Sequence, residues 1–133
     1  MAVHYLDLDG FKPVNDEFGH AVGDQVLLEV AARLQSTVRE TDMVARLGGD
    51  EFAIVQFSLK DDEEAYTLSW RVREAIQEPY EMDQCSVSIS TSIGTIVSTA
   101  RSSTLKDMLQ LADRKLYGVK RAKRKLKVTE ALA

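Results

Sequence analysis

Gly48-Gly49 stands between two apolar runs, Met43-Val44-Ala45 and Phe52-Ala53-Ile54-Val55, and this constrains the fold more than any other stretch. Two glycines joining apolar segments predict the tight turn of a β-hairpin, so an antiparallel strand pair belongs near the centre of the chain. Two carboxylates, Asp50 and Glu51, follow the turn directly. Adjacent acids on a rigid hairpin can hold a hard divalent cation such as Mg2+. Gly48 and Gly49, without a Cβ, let backbone or phosphate approach closely. A solvated turn carrying ordinary surface charge has the same local sequence.

The segments around this hairpin read in order. Ala2 to Asp9 begins as a strand and ends in Asp7-x-Asp9, where alternation puts both carboxylates on one side. Like charges so close cost free energy unless a cation or solvent relieves them. Gly10 to Gly19 predicts a short helix, with Pro13 in its first turn and Gly19 at its exit. Amides around Gly10 and Phe11 would then face outward at a helix N-terminus, an anion site to which Lys12 can add a point charge. Asn15 and Asp24 are residue types that read a purine edge, an amide against guanine's acceptors and a carboxylate against its donors. Capping and surface solvation are the other role of Asn and Asp near helix ends.

Apolar residues at helical spacing from Val22 to Val38 predict a long amphipathic helix, followed by Arg39-Glu40-Thr41-Asp42, where Arg39 and Asp42 can form a local ion pair. Past the hairpin, Ala65, Leu68, Val72, Ala75 and Ile76 form the stripe of another helix, capped by Asp61 or Asp62 and closed by Pro79. Ser86 to Val97 alternates cleanly and predicts one long strand, with Gly94 marking a bulge or bend. A last helix has its stripe at Leu105, Met108, Leu109, Ala112, Leu116 and Val119, with Ser102, Ser103 or Thr104 as its cap. Leu126-Lys127-Val128 is expected to add a short final strand. There is no internal repeat and no linker. Strands with intervening helices predict an α+β sandwich whose helices cover a mostly antiparallel sheet. In such a sheet Asp7, Asp9, Asp50 and Glu51 come within reach of one or two ions.

Composition narrows the classes. The 133 residues predict one domain that buries about two-thirds of its unfolded surface. Apolar residues make up 44% and charged residues 29%, ordinary values for a soluble globular protein. No stretch is apolar enough to span a membrane, and the N-terminus lacks a signal-peptide core. Cys85 stands alone, which excludes an internal disulfide, suits a reducing cytoplasm and reads as a small buried hydrophobe. The net charge of −4 hides an asymmetry: residues 115–127 hold seven of the 17 basic residues and no acid, leaving 10 basic against 21 acidic residues elsewhere. An acidic body with one basic helix does not suit a general nucleic-acid binder. It suits metal-binding acids on one side and a phosphate clamp on the other.

Asp7-Leu8-Asp9-Gly10-Phe11-Lys12, Asn15-Asp16, Phe18-Gly19-His20, Gly23-Asp24, Arg46-x-Gly48-Gly49-Asp50-Glu51-Phe52, Ser92-Ile93-Gly94, Ala112-Asp113, Leu116-Tyr117 and Lys120 stand in an order and spacing that resemble the GGDEF-domain diguanylate cyclases over nearly the whole chain. The resemblance implies a ferredoxin-like, palm-type sandwich shared with nucleotidyl cyclases. It implies Mg2+-dependent (or Mn2+-dependent) condensation of two GTP to cyclic di-GMP with release of pyrophosphate. By motif position, Asp7, the Leu8 carbonyl and Asp50 would hold metal with Glu51 beside them, and Asp50 would be the candidate base at the ribose 3′-OH. Asn15 and Asp24 would read guanine. Gly10, Phe11, Lys12, Gly48, Gly49, Lys120 and Arg124 would surround the triphosphate. Arg39-x-x-Asp42 matches the family's inhibitory product site. One domain binds one GTP, so catalysis implies a homodimer, with a sensor domain fused to or regulating it.

Two departures accompany the match. The chain, read as a single domain over 1–133, begins just after a segment that the family carries before its first strand. The family's Gly-Arg-Asn after the last helix stands here as Lys123-Arg124-Lys125, which keeps the arginine and loses the glycine. The alternative to an active cyclase is an impaired GGDEF module that binds GTP or cyclic di-GMP and regulates a partner.

Overall fold

In the computed structural model, which describes residues 1–98 and 104–132, the first strand lies inside the sheet. β1 (Ala2–Asp9) pairs antiparallel with two strands, one holding Glu51–Gln56 and the other Ser90–Val97. Numbered along the chain, the elements are α1 (Phe11–Phe18), α2 (His20–Thr37), β2 (Met43–Gly48), β3 (Glu51–Gln56), α3 (Asp62–Gln77), β4 (Tyr80–Glu81), β5 (Ser86–Val87), β6 (Ser90–Val97) and α4 (Leu105–Leu132). The main sheet runs β2-β3-β1-β6, and β4-β5 is a separate two-stranded hairpin. The mostly antiparallel sheet and its covering helices are the expected α+β sandwich.

β1 is apolar on both faces because both are covered. Leu6 and Leu8, with Phe52, Ile54 and Ile93, pack against Val26, Val30 and Leu34 of α2 and Leu68, Val72 and Ile76 of α3. Val3 and Val55 pack on the other face against Met108 and Ala112 of α4. Burying each such aliphatic side chain contributes about 1.5–3 kcal/mol. Asp61 caps α3, its carboxylate accepting from the Glu64 amide at 3.1 Å. Thr104 caps α4, accepting from the Asp107 amide at 3.1 Å; Ser102 and Ser103 lie outside the described residues.

Three expectations need correction. The strand expected over Ser86–Val97 is split. β1 ends at Asp9, opposite Ser90, so residues before Ser90 have no neighbour in the main sheet and Ser86–Val87 pairs with Tyr80–Glu81 instead. Gly94 is not at a bulge, since its pairing with Tyr5 continues the β1–β6 register unbroken. It is glycine because the α4 backbone lies against it: a Cβ would overlap the Ala112 carbonyl oxygen and the Leu116 amide nitrogen. Finally, Leu126–Val128 lies within α4 rather than in a strand. No glycine or proline follows Gly118, and the Lys, Arg, Leu and Ala of that stretch favour helix.

Candidate active site

The β1 terminus, the signature hairpin and α4 converge at one corner. Asp7 lies opposite Glu51 of β3 on one side and Ser92 of β6 on the other. Past the end of that ladder, the Leu8 amide donates to the Asp50 carbonyl at 3.2 Å, which ties Asp50 to the same corner. The turn between β2 and β3 uses positive φ at Gly48 (145°) and Gly49 (49°), a region that side-chain-bearing residues rarely adopt. Arg46 Nε closes it by donating to the Gly49 carbonyl at 3.0 Å.

Each carboxylate at the corner has a distinct environment. Lys120 Nζ forms an ion pair and hydrogen bond with Asp7 Oδ2. Tyr5 Oη donates to Glu51 Oε2 at 2.9 Å. Burial, then the hydrogen bond and charge of Glu51, push the Tyr5 phenol up to about 12, so it remains a donor at neutral pH. The Asp50 carboxyl is raised above the usual carboxylate range, first by burial and then by the negative charge of Asp7, with Lys120 opposing. Asp9, expected within reach of the same ions, instead accepts from Ser92 Oγ at 2.6 Å and from Lys123 Nζ at 3.1 Å.

A cleft of about 510 Å3 opens beside these groups, lined by Asp9, Gly10, Ser92, Lys120, Lys123 and Arg124. Gly10 precedes α1, whose N-terminus has no side-chain cap, while Phe11 and Val14 anchor that helix in the core. The first amides of α1 therefore remain donors for an anion. Lys12 is exposed on the first turn. Asn15 of α1 reaches α2, where its Oδ1 occupies the space that a Cβ on Gly23 would fill. Asp24 is the next residue and is exposed, so the two candidate purine readers adjoin one helix junction.

Arg39 and Asp42 are elsewhere. They line a separate cleft of about 270 Å3 with Gln56, Glu64 and Arg71. The local ion pair expected between them is replaced by backbone bonds: the Arg39 amide donates to Asp42 Oδ2 at 3.0 Å and the Asp42 amide to the Arg39 carbonyl at 3.0 Å. The Arg39 guanidinium faces Glu64 of α3 at 3.8 Å.

The oxygens at the corner suit a hard cation, although among the described residues no three ligating side chains already converge on one point. Mg2+ commonly takes only one or two carboxylates and completes its shell with water and substrate phosphate. The donor set therefore fits such an ion. The sequence alone assigned no site role to Tyr5, Ser92 or Lys123; Lys123 follows Lys120 by three residues, a spacing that places both on one side of a helix.

A family model described as the diguanylate cyclase, GGDEF domain, matches residues 1–126. The chain is a GGDEF domain. Among curated relatives, the bifunctional diguanylate cyclase/cyclic di-GMP phosphodiesterase MucR of Pseudomonas aeruginosa is 40% identical over 120 residues, covering 90% of this chain and 17% of MucR. Diguanylate cyclase TpbB of the same species is 38% identical over 125 residues, covering 93% of this chain and 29% of TpbB. This chain thus spans less than a third of the length of either relative. The crystal structure of the TpbB GGDEF domain superposes with a TM-score of 0.85 over 91% of this chain and 76% of that one. The GGDEF domain of DgcB from Caulobacter crescentus, solved in complex with c-di-GMP, gives 0.81 at 27% identity, over 91% and 72% of the respective chains.

Proposed function

We propose that this GGDEF domain condenses two GTP molecules to one cyclic di-GMP and two pyrophosphates as a homodimer. The observation that carries this reading is the corner where Asp7, Asp50, Glu51 and Lys120 adjoin a basic cleft of about 510 Å3. Asp7, the Leu8 carbonyl, Asp50 and Glu51 would hold Mg2+, or Mn2+ in its place. The bound ion supplies charge neutralisation at the α-phosphate and acidifies the attacking 3′-hydroxyl.

This chain's own groups then have separable tasks. Asn15 and Asp24 orient guanine. The amides at Gly10 and Phe11, with Lys12, Lys120 and Arg124, hold the triphosphate, and Gly48 and Gly49 leave room for it. Lys120 is poised to exchange Asp7 for a phosphate oxygen once another cation occupies that carboxylate. Asp50 is the group to accept the 3′-hydroxyl proton of the partner's nucleotide. In-line attack needs placement and charge neutralisation more than covalent help. One domain offers one such cleft, so the second GTP comes from a second copy. The Arg39/Asp42 cleft is the inhibitory site for cyclic di-GMP, where a guanidinium can grip guanine and phosphate. The reaction suits the cytoplasm, and the domain would answer to a fused or associated sensor domain.

One observation favours the second reading, a module that binds GTP or cyclic di-GMP without turnover: Asp7 and Glu51 are already engaged by Lys120 and Tyr5. Purified protein with Mg2+ and GTP is expected to yield cyclic di-GMP, and Asp50→Ala to abolish it. GTP binding without turnover at high protein concentration would establish the module instead.

A further inference from the structure

Among the described residues, the basic cleft contains one cation that the reaction above leaves unused. Lys123 Nζ lies 2.9 Å from Ser92 Oγ, 3.1 Å from Asp9 Oδ2 and 3.2 Å from the Thr91 carbonyl. Lys120 lies three residues, just under one turn, earlier on α4 and pairs with Asp7, and Arg124 lines the same wall. Among the described residues lining this cleft, Asp9 is the one carboxylate. Three cations against one acid make the cleft a receptor for a polyanion.

We propose that Lys123 binds the outer phosphates of the triphosphate and that Asp9 and Ser92 aim it into the cleft before the nucleotide arrives. The inference rests on reading the site as a GTP site. Its position along the helix sets the phosphate it meets. Lys120 stands at the depth of Asp7, where the reacting phosphate belongs. Lys123 stands about 4.5 Å further along the helix axis, beside the phosphates remote from the reaction.

The exchange that binding requires is cheap. The Lys123–Asp9 pair is partly exposed, and such pairs are weak. Asp9 is not orphaned when the ammonium leaves, because Ser92 Oγ still donates to it at 2.6 Å. A phosphate oxygen returns a charge-assisted bond to the ammonium, whose three donors allow it to keep Ser92 or Thr91 meanwhile. Lys123 is thus a specificity residue for phosphate number, separating GTP from GDP and GMP.

Calorimetric titration with 3′-deoxy-GTP, which lacks the attacking hydroxyl, and with GDP and GMP tests this in the presence of Mg2+. Lys123→Met is expected to weaken 3′-deoxy-GTP about tenfold and GDP less. GMP affinity stays unchanged, which also reports an intact fold. Lys123→Arg, which keeps the charge, is expected to recover most of the loss. An equal loss for all three nucleotides would make Lys123 a structural prop, and no loss for 3′-deoxy-GTP would remove it from the phosphate site; either overturns the inference alone. Failure of the unaltered chain to bind 3′-deoxy-GTP overturns the GTP-site reading and this inference with it.

Discussion

Gly23 has no side chain because Asn15 Oδ1 fills the space. Gly23→Ala pushes the amide aside, and in an active cyclase it is expected to raise KM for GTP several-fold with kcat little changed; an unaltered KM would detach Asn15 from guanine. His4 offers a second test. It is buried in the sheet, with Nε2 2.7 Å from Gln56 Oε1 and Nδ1 2.9 Å from Thr95 Oγ1. Gln56 can only accept through that oxygen, so Nε2 carries a proton; burial disfavours a second one, and the neutral ring accepts from the Thr95 hydroxyl at Nδ1. Burial lowers its pKa from 6.5, outweighing the Gln56 hydrogen bond and the Asp42 charge that oppose the shift. The unfolded chain therefore binds the proton more readily. Its contribution is complete above 6.5 and is lost as pH falls from there toward the folded value. Denaturant titrations between pH 7 and pH 5 should show a flatter stability profile for His4→Leu, offset downward by about 1–3 kcal/mol for the stranded partners. At this scale the meeting of Asp7, Asp50 and Glu51 was legible because an antiparallel sheet can set the end of the first strand beside the hairpin, although acids beside glycines are also ordinary turn residues. Tyr5 was not, because an aromatic in a strand reads as core until its hydroxyl is seen to face Glu51.

At the scale of elements, helical stripes and capping residues were the most legible features, since 3.6-residue periodicity survives tertiary packing. Asp61 caps α3 as read, and Trp70, off the stripe, is exposed. The division of Ser86–Val97 was illegible for a definite reason: alternation continues through the break, with Val87, Ile89 and Ile93 all buried, and only the length of β1 decides where pairing stops. The hidden role of Gly94 has the same origin, because what it avoids is the backbone of a helix far along the chain. Gly94→Ala should loosen α4 from the sheet, at a cost of about 3 kcal/mol in chemical denaturation. Arg33 supplies a comparable tie on the opposite face. Its guanidinium donates to the carbonyls of Ala75, Glu78 and Pro79 at 2.8, 2.6 and 2.9 Å and stacks on Tyr80, closing the C-terminus of α3. Arg33→Ala should cost about 1–3 kcal/mol without altering nucleotide affinity, and a large change in affinity would show that α3 communicates with the cleft.

For the molecule as a whole, the proposed chemistry is split between two copies. Specific activity should therefore rise with protein concentration in the dilute range, and a constant specific activity would place both nucleotides within one chain. Whole-molecule architecture was legible only as a class: strands, helices and one hairpin imply an α+β sandwich, whereas the order β2-β3-β1-β6 depends on long-range pairing that no local pattern encodes. The contact at Gly94 has a further consequence at this scale. Where a helix meets a sheet through side chains alone, it can roll or creep as those side chains repack. Here backbone rests on backbone, so α4 is indexed like a gear tooth in its slot. A slip of one residue would turn Lys120 and Lys123 by about 100° around the helix axis, away from Asp7 and Asp9. The pitch of the proposed phosphate grip is thus calibrated from an edge strand, at a glycine outside that grip.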